Sequence, residues 1–198
     1  MDSYTGNPGS NIFDPTNVYL GSDGVHLKIT KVGGVWHCAS MVSAENLSNG
    51  TYRCVIQGRA DLLDPNMVLA MFSYGGVDNV NEIDIELSRW GYPESDSLNY
   101  MVYPSVPGQN WSERFPMTQT SNWTTHRFIW GNARVSFVSQ QGVRELADLT
   151  NQIATAQSSI SPNKPMPLGF NFWLNGGKAP TNGKGAEIVI TDFSYTPS

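Results

Sequence analysis

Apolar and polar residues alternate along most of this chain in short runs, each closed by turn-forming residues. A period of two marks a half-buried strand, and Gly, Pro, Asn and Ser at the ends mark the turns. VHLKITKV (25–32) reads this way and is followed by Gly-Gly. VWHCASMV (35–42) and TYRCVIQGR (51–59) flank SAENLSNG, whose Asn-Gly predicts a hairpin. MVLAMFSY (67–74) is continuously apolar, as a strand covered on both faces would be. NEIDIELSRW (81–90) and SLNYMVYP (97–104) come next, then THRFIWG (125–131) with ARVSFVSQQG (133–142) as an antiparallel pair. MPLGFNFWLNG (166–176) and AEIVITDFSYTP (186–197) follow. Only RELADLTNQIATAQSSI (144–160) has helix-like spacing, with Leu146, Leu149 and Ile153 on one side.

This many strands without a βαβ rhythm, repeat or linker predict one all-β domain over residues 1–198, a sandwich or barrel. The chain is long enough to bury a core without metal or disulfide staples. Its 19 Gly and 12 Pro suit a turn-rich β-domain. A net charge of −5 argues against a nucleic-acid partner, which needs a basic face. With aromatics at 11% and charged residues at only 15%, a neutral sugar polymer fits better.

No apolar run approaches the ~20 residues of a membrane span, so no membrane partner is expected. The polar start MDSYTGNPGSNIFDP shows no signal peptide, and Met1 is compatible with a leader already removed. Cys38 and Cys54 lie in neighbouring strand-like runs and could form a disulfide or remain two buried thiols. The sequons at Asn46, Asn49, Asn110 and Asn122 are of the number that Asn, Ser and Thr content gives by chance.

VNEIDIELSRWG (80–91) changes the picture. Glu82, Asp84 and Glu86 occupy alternate positions with Ile83 and Ile85 between them, so a strand would crowd three carboxylates onto one face. Like charges there repel. A solvated face, a cation site and a catalytic pair are the three readings. The first suits two acids better than three, and no Lys or Arg interrupts the triplet. Cation sites draw on loops with turn residues, which this triplet lacks. Glycoside hydrolysis needs two carboxyl groups in different protonation states, ~5–5.5 Å apart when configuration is retained. Positions i and i+4 of a strand have Cα atoms ~13 Å apart at ~3.3 Å per residue, a gap that two facing Glu side chains largely close. Crowding then keeps one carboxyl protonated to about pH 6 or 7, as an acid catalyst requires.

NEIDIEL resembles the ExDxE signature of glycoside hydrolase family 16, shared by lichenase-like and laminarinase-like β-glucanases and by xyloglucan transglycosylases. VLAMFSYGG, THRFIWG, FNFWLNGG and VITDFSYTP resemble further segments of that family in the same order, from about Val25 to Pro197. The resemblance implies a β-jelly-roll of two curved antiparallel sheets with a substrate cleft across the concave one. It assigns Glu82 as nucleophile, Glu86 as acid and base, and Asp84 as the residue tuning both. An ExDxE strand should run without a bulge. The resemblance also implies a possible structural calcium on the convex face through Asp192, and no organic cofactor.

Asn171 and Trp173 would line the cleft, Trp90 would floor a subsite or plug the core, and Tyr74, Tyr103 and Arg89 are further candidate substrate contacts. Trp111 and Trp123 are candidate outer stacking platforms, and His126 a structural hydrogen-bonder. Ser40 and Val42 stand where lichenases carry an acid and an arginine, and Asn81 replaces the usual Asp before the first Glu. These departures weaken a strict lichenase assignment. The expectation is therefore a secreted or periplasmic, monomeric endo-glycosidase that cleaves a β-1,3- or β-1,3-1,4-glucan with retention. A transglycosylase and a lectin-like glucan-binding module are the alternatives.

Overall fold

In a computed structural model the described residues are 3–6 and 8–198. Fifteen strands carry the fold: β1 Tyr4–Gly6, β2 Asn11–Phe13, β3 Val18–Leu20, β4 Val25–Val32, β5 Val35–Leu47, β6 Gly50–Gln57, β7 Met67–Val77, β8 Val80–Leu87, β9 Leu98–Tyr103, β10 Trp111–Phe115, β11 Trp123–Trp130, β12 Val135–Gln141, β13 Gln152–Gln157, β14 Met166–Leu174 and β15 Ala186–Pro197. One sheet runs β10-β9-β8-β7-β14-β5 and a second runs β4-β15-β6-β11-β12-β13. They are joined where β4 pairs with β5, and the whole curves nearly into a barrel. This is the expected β-jelly-roll.

Alternation explains the layers. Ile83, Ile85 and Leu87 of β8 are buried between the sheets, as are Phe170 and Phe172 of β14. Tyr52, Cys54 and Ile56 of β6 and Phe128 and Trp130 of β11 meet them from the second sheet. Burying such side chains contributes roughly 1.5–3 kcal/mol each before the entropy cost of ordering them. One polar chain also crosses the core. The Tyr100 hydroxyl on β9 donates to Ser139 Oγ on β12 at 2.8 Å, and His126 on β11 sits between Ser139 and Thr124 at 2.7 and 2.9 Å.

Two expectations are corrected. The Asn49-Gly50 turn does not close a hairpin: β5 pairs with β14 and β6 with β15 and β11, so the chain changes sheets there. Turn chemistry specifies a reversal, but the apolar faces decide which sheet each strand joins. Residues 144–160 hold no helix; a turn-rich loop leads into β13. There the second sheet's edge outcompetes a weak helical spacing. Cys38 and Cys54 are free and buried on different sheets, and burial pushes both thiols up to about 12.

Candidate active site

β8 lies between β7 and β9, so its polar face forms the middle of the first sheet's outer surface. Glu82 stands beside Tyr74 on β7 and Tyr103 on β9; Asp84 beside Phe72 and Met101; Glu86 beside Ala70 and Asn99. The rows continue onto β14 and β5, where Asn171 adjoins Ala70 and Ser40, and Gly169 adjoins Phe72 and Val42. The acidic stretch pairs with β9 without interruption, and the only shift against β7 falls between Tyr74 and Val77, ahead of Glu82. Asn81 absorbs it with a φ of 54°. The three carboxyls thus sit on an unbulged strand, as the ExDxE spacing predicts.

They open into a cleft of about 530 Å3. Glu82, Asp84, Glu86, Tyr74, Tyr103, Trp90, Asn171 and Trp173 all line it. Ser40 and Val42 line it too, so one wall is neutral where lichenases place charge. Burial is the main cause of raised carboxyl pKa values. It holds Glu82 up at about 7, with Asp78 adding repulsion. It holds Glu86 up at about 8, with Glu82 adding repulsion and Arg114 opposing it. Asp84, only 7% exposed and flanked by both glutamates, is raised well above the usual carboxylate range. Burial disfavours the charged form of each, and whichever carboxyl ionises first raises its neighbours further.

At one end of the cleft, the rings of Trp90 and Trp173 meet edge to face with centroids 6.0 Å apart. Trp90 follows the strand end with a φ of 54°, and its backbone N–H donates to Ser88 Oγ. It therefore floors the cleft and packs on the core together. Among the described residues, Trp90 Nε1 and Asn171 Oδ1 in the cleft lining are buried without a hydrogen-bond partner, as are Asn99 Oδ1, Arg53 Nη2 and Arg127 Nε outside it. Unpaired buried polar atoms are costly in a core and expected where a ligand supplies the missing partner.

Other candidates fall elsewhere. Arg89 does not line the cleft; its guanidinium donates to the Leu63 and Pro93 carbonyls and clasps a loop. Trp111 is not an outer platform, because it stacks on Phe137 at 5.7 Å against the core. Trp123 is exposed but begins β11, on the opposite sheet. His126 is fully buried and hydrogen-bonded, and burial lowers it to about 3, so it stays neutral. Asp192 is not in the cleft, and its carboxylate accepts a hydrogen bond from Arg53 at 2.6 Å.

Phe72, Asp78, Met101 and Arg114 line the cleft unanticipated. The continuous apolar run around Phe72 hid its alternation, and Arg114 lies on the short β10 within a stretch that reads as polar loop. A separate apolar cavity of about 480 Å3 opens between the sheets beside Met41, Phe170 and Phe193 and holds none of the three carboxyls.

The fold recurs among solved structures. The Bacillus licheniformis β-glucanase superposes with a TM-score of 0.73 at 19% identity, covering 100% of this chain and 91% of that one. A prokaryotic β-1,3-1,4-glucanase (lichenase) from a mouse hindgut metagenome gives 0.71 at 17% identity, covering 98% and 90%. An immunostimulatory antigen and pseudo β-1,3-glucanase of Mycobacterium tuberculosis gives 0.70 at 17%, covering 95% and 82%. Among curated proteins none matches. The model of glycosyl hydrolases family 16 matches residues 8–193, and with nearly its whole length accounted for, the chain belongs to that family.

Proposed function

We propose that the protein is an endo-acting, retaining glycoside hydrolase that cleaves a β-1,3- or β-1,3-1,4-glucan by double displacement. The observation that carries this reading is the row Glu82, Asp84 and Glu86 on one unbulged strand in an open cleft, with burial raising all three carboxyls, Asp78 adding repulsion at Glu82, and Glu82 adding it at Asp84 and Glu86. Glu86, with its carboxyl held up at about 8, keeps a proton at neutral pH for the leaving oxygen. Glu82, at about 7, is the more readily ionised of the two glutamates and serves as nucleophile.

In the first step a Glu82 carboxylate oxygen attacks C1. The C1–O bond to the leaving sugar breaks, and the Glu86 proton goes to the departing oxygen. In the second, Glu86 as carboxylate takes a proton from water while the water oxygen displaces Glu82 from C1, restoring both groups. Asp84 holds its neighbours' proton affinities apart. Tyr74 and Tyr103 flank the nucleophile, while Trp90, Trp173 and Asn171 receive the sugars at the far end. The open cleft suits internal cleavage of a long polymer. Such a polymer is met outside the cytoplasm, so the enzyme acts as a secreted or periplasmic monomer.

A non-catalytic glucan-binding role has one observation in its favour, the pseudo β-1,3-glucanase among the structural neighbours. Binding alone does not call for three crowded carboxyls at this spacing. The deciding experiment is reducing-end release from mixed-linkage glucan, laminarin, xyloglucan and agarose by the native protein and Glu82→Gln, with the anomeric form of the first product followed by NMR. Cleavage by the native protein alone, giving the β-anomer first, supports the reading. Tight binding without turnover overturns it in favour of the lectin-like role, and transfer to added oligosaccharide in favour of a transglycosylase.

A further inference from the structure

The second sheet carries an arrangement on its outer face that the cleft does not use. Arg53 on β6 and Arg127 on β11 are cross-strand partners, each at most 2% exposed, so two guanidinium groups are buried side by side. Like charges placed this way repel, and burial adds a desolvation cost to each. The loop after β12 answers in part, leaving Arg53 Nη2 and Arg127 Nε buried without a hydrogen-bond partner. Arg53 Nε donates to the Arg144 carbonyl at 2.6 Å, and Arg127 donates to the Leu146, Glu145 and Asp148 carbonyls. Arg53 Nη1 donates to Asp192 Oδ2 on β15 at 2.6 Å. One side chain thus ties together a carboxylate on β15 and a main-chain carbonyl of the loop.

Gathering a carboxylate and main-chain carbonyls around one positive centre is also what a structural calcium does. Calcium takes six to eight oxygen ligands at about 2.3–2.6 Å. Here the Asp192 carboxylate and the Arg144 carbonyl both face N–H donors of a fixed cation, and a calcium ion bridging them would meet that guanidinium. The residues around Asp192 therefore do not fit the calcium site that the family resemblance implies.

We propose that Arg53 is a built-in replacement for that calcium, so that the outer face is fastened by a guanidinium and stability does not depend on the metal. Arg suits the task because its planar fork directs several N–H groups to separate acceptors, whereas a lysine offers one point charge. The Arg53–Asp192 pair is half-sheltered: the guanidinium is buried, while the Asp192 side chain is 55% exposed. Replacing Asp192 by Asn leaves Arg53 buried beside a neutral partner, the costly way to break such a pair.

The test is thermal unfolding of the native protein, Asp192→Asn and Arg53→Met, each in chelator and in millimolar calcium. Native Tm is expected to be the same in both conditions, within about 1 °C. Asp192→Asn should lower Tm by about 3–8 °C in both conditions alike. Arg53→Met should lower it too and speed amide exchange in residues 143–150, which lose the tie at Arg144. A calcium-dependent rise in native Tm overturns the proposal, as does an unchanged Tm for Asp192→Asn. That variant decides the matter if Arg53→Met does not fold. The readout is stability, so the result stands apart from whether the cleft turns over a glucan.

Discussion

The Phe72 ring lies on the α-carbon of Gly169, its cross-strand neighbour: a Cβ built on Gly169 would fall 2.3 Å from Phe72 Cζ. Both positions face the cleft in the row of Asp84, so the missing side chain of one creates the seat for the ring of the other.

Gly169→Ala is therefore expected to push the Phe72 ring into the cleft. The strain of overpacking is about 1–3 kcal/mol. A displaced cleft wall should reduce kcat/KM by about tenfold or more, since small misplacements of a positioning surface are costly to rate. Steady-state kinetics on the preferred glucan, with a parallel melting curve, checks both effects.

The pH dependence of kcat/KM should be bell-shaped with its maximum between about 7 and 8. Below about 7, Glu82 gains a proton and loses its nucleophilicity; above about 8, Glu86 loses the proton needed by the leaving group. Removing the cation beside Glu86, by Arg114→Gln, should move the alkaline limb upward, because Arg114 favours the charged form. A profile with its maximum near pH 4 to 5, as ordinary carboxyls would give, contradicts the assignment.

Glu86→Gln should be nearly inactive yet more stable than the native protein in mild alkali. The folded-state pKa of Glu86 lies above its unfolded value, so the folded state holds the proton more tightly. The stability this supplies is complete below about pH 4 and is lost as pH rises through about 8. At about pH 9 the native protein carries a charged, half-buried carboxyl that the amide variant lacks. The expected gain is about 1–2 kcal/mol after allowing for solvent screening at the open side of the cleft. Denaturant titration at about pH 4 and about pH 9 checks it: the difference should vanish at the lower pH.

Tyr100→Phe removes the hydroxyl that reaches across the core to Ser139. Its cost should be about 1–2 kcal/mol, the range for a buried hydrogen bond whose partner retains His126. Tyr100 points away from the cleft, so kcat/KM should change less than twofold, and a large loss of activity would show that the core network shapes the cleft.

How far the sequence foretold the molecule depended on the range of the interaction. Strand alternation is local, so Glu82, Asp84 and Glu86 could be placed on one face from their spacing, and Ile83 and Ile85 in the core. Asn171 and Trp173 share a face by the same rule, and the resemblance of FNFWLNGG to the family's segment adds their cleft role. Pairing is not local, so the Asn49-Gly50 turn predicts a hairpin that does not form. Arg89 lies at a strand end, where a substrate contact and a solvated charge are equally open readings, but the chain leaves the strand there and turns Arg89 toward the Leu63 carbonyl. Trp111 lay in a polar stretch whose short strand is fixed by pairing with β9, an interaction the stretch itself does not encode. The tie between Arg53 and Asp192 spans sequence too distant for any local pattern.

The change of sheet at Asn49-Gly50 bears on how the chain is made. β5 cannot zip onto β6, and its edge waits for β14, as the hydrogen bond from Leu168 N–H to Ser43 Oγ across 125 residues records. Closing such loops before any contact compensates makes β-topologies of this kind slow to assemble. During synthesis the segment up to residue 165 leaves the ribosome with an unpaired edge beside Met41 and no far wall to its cleft. A nascent chain in that state is open to edge-to-edge association, and holding it apart until β14 emerges is a task for its cellular surroundings.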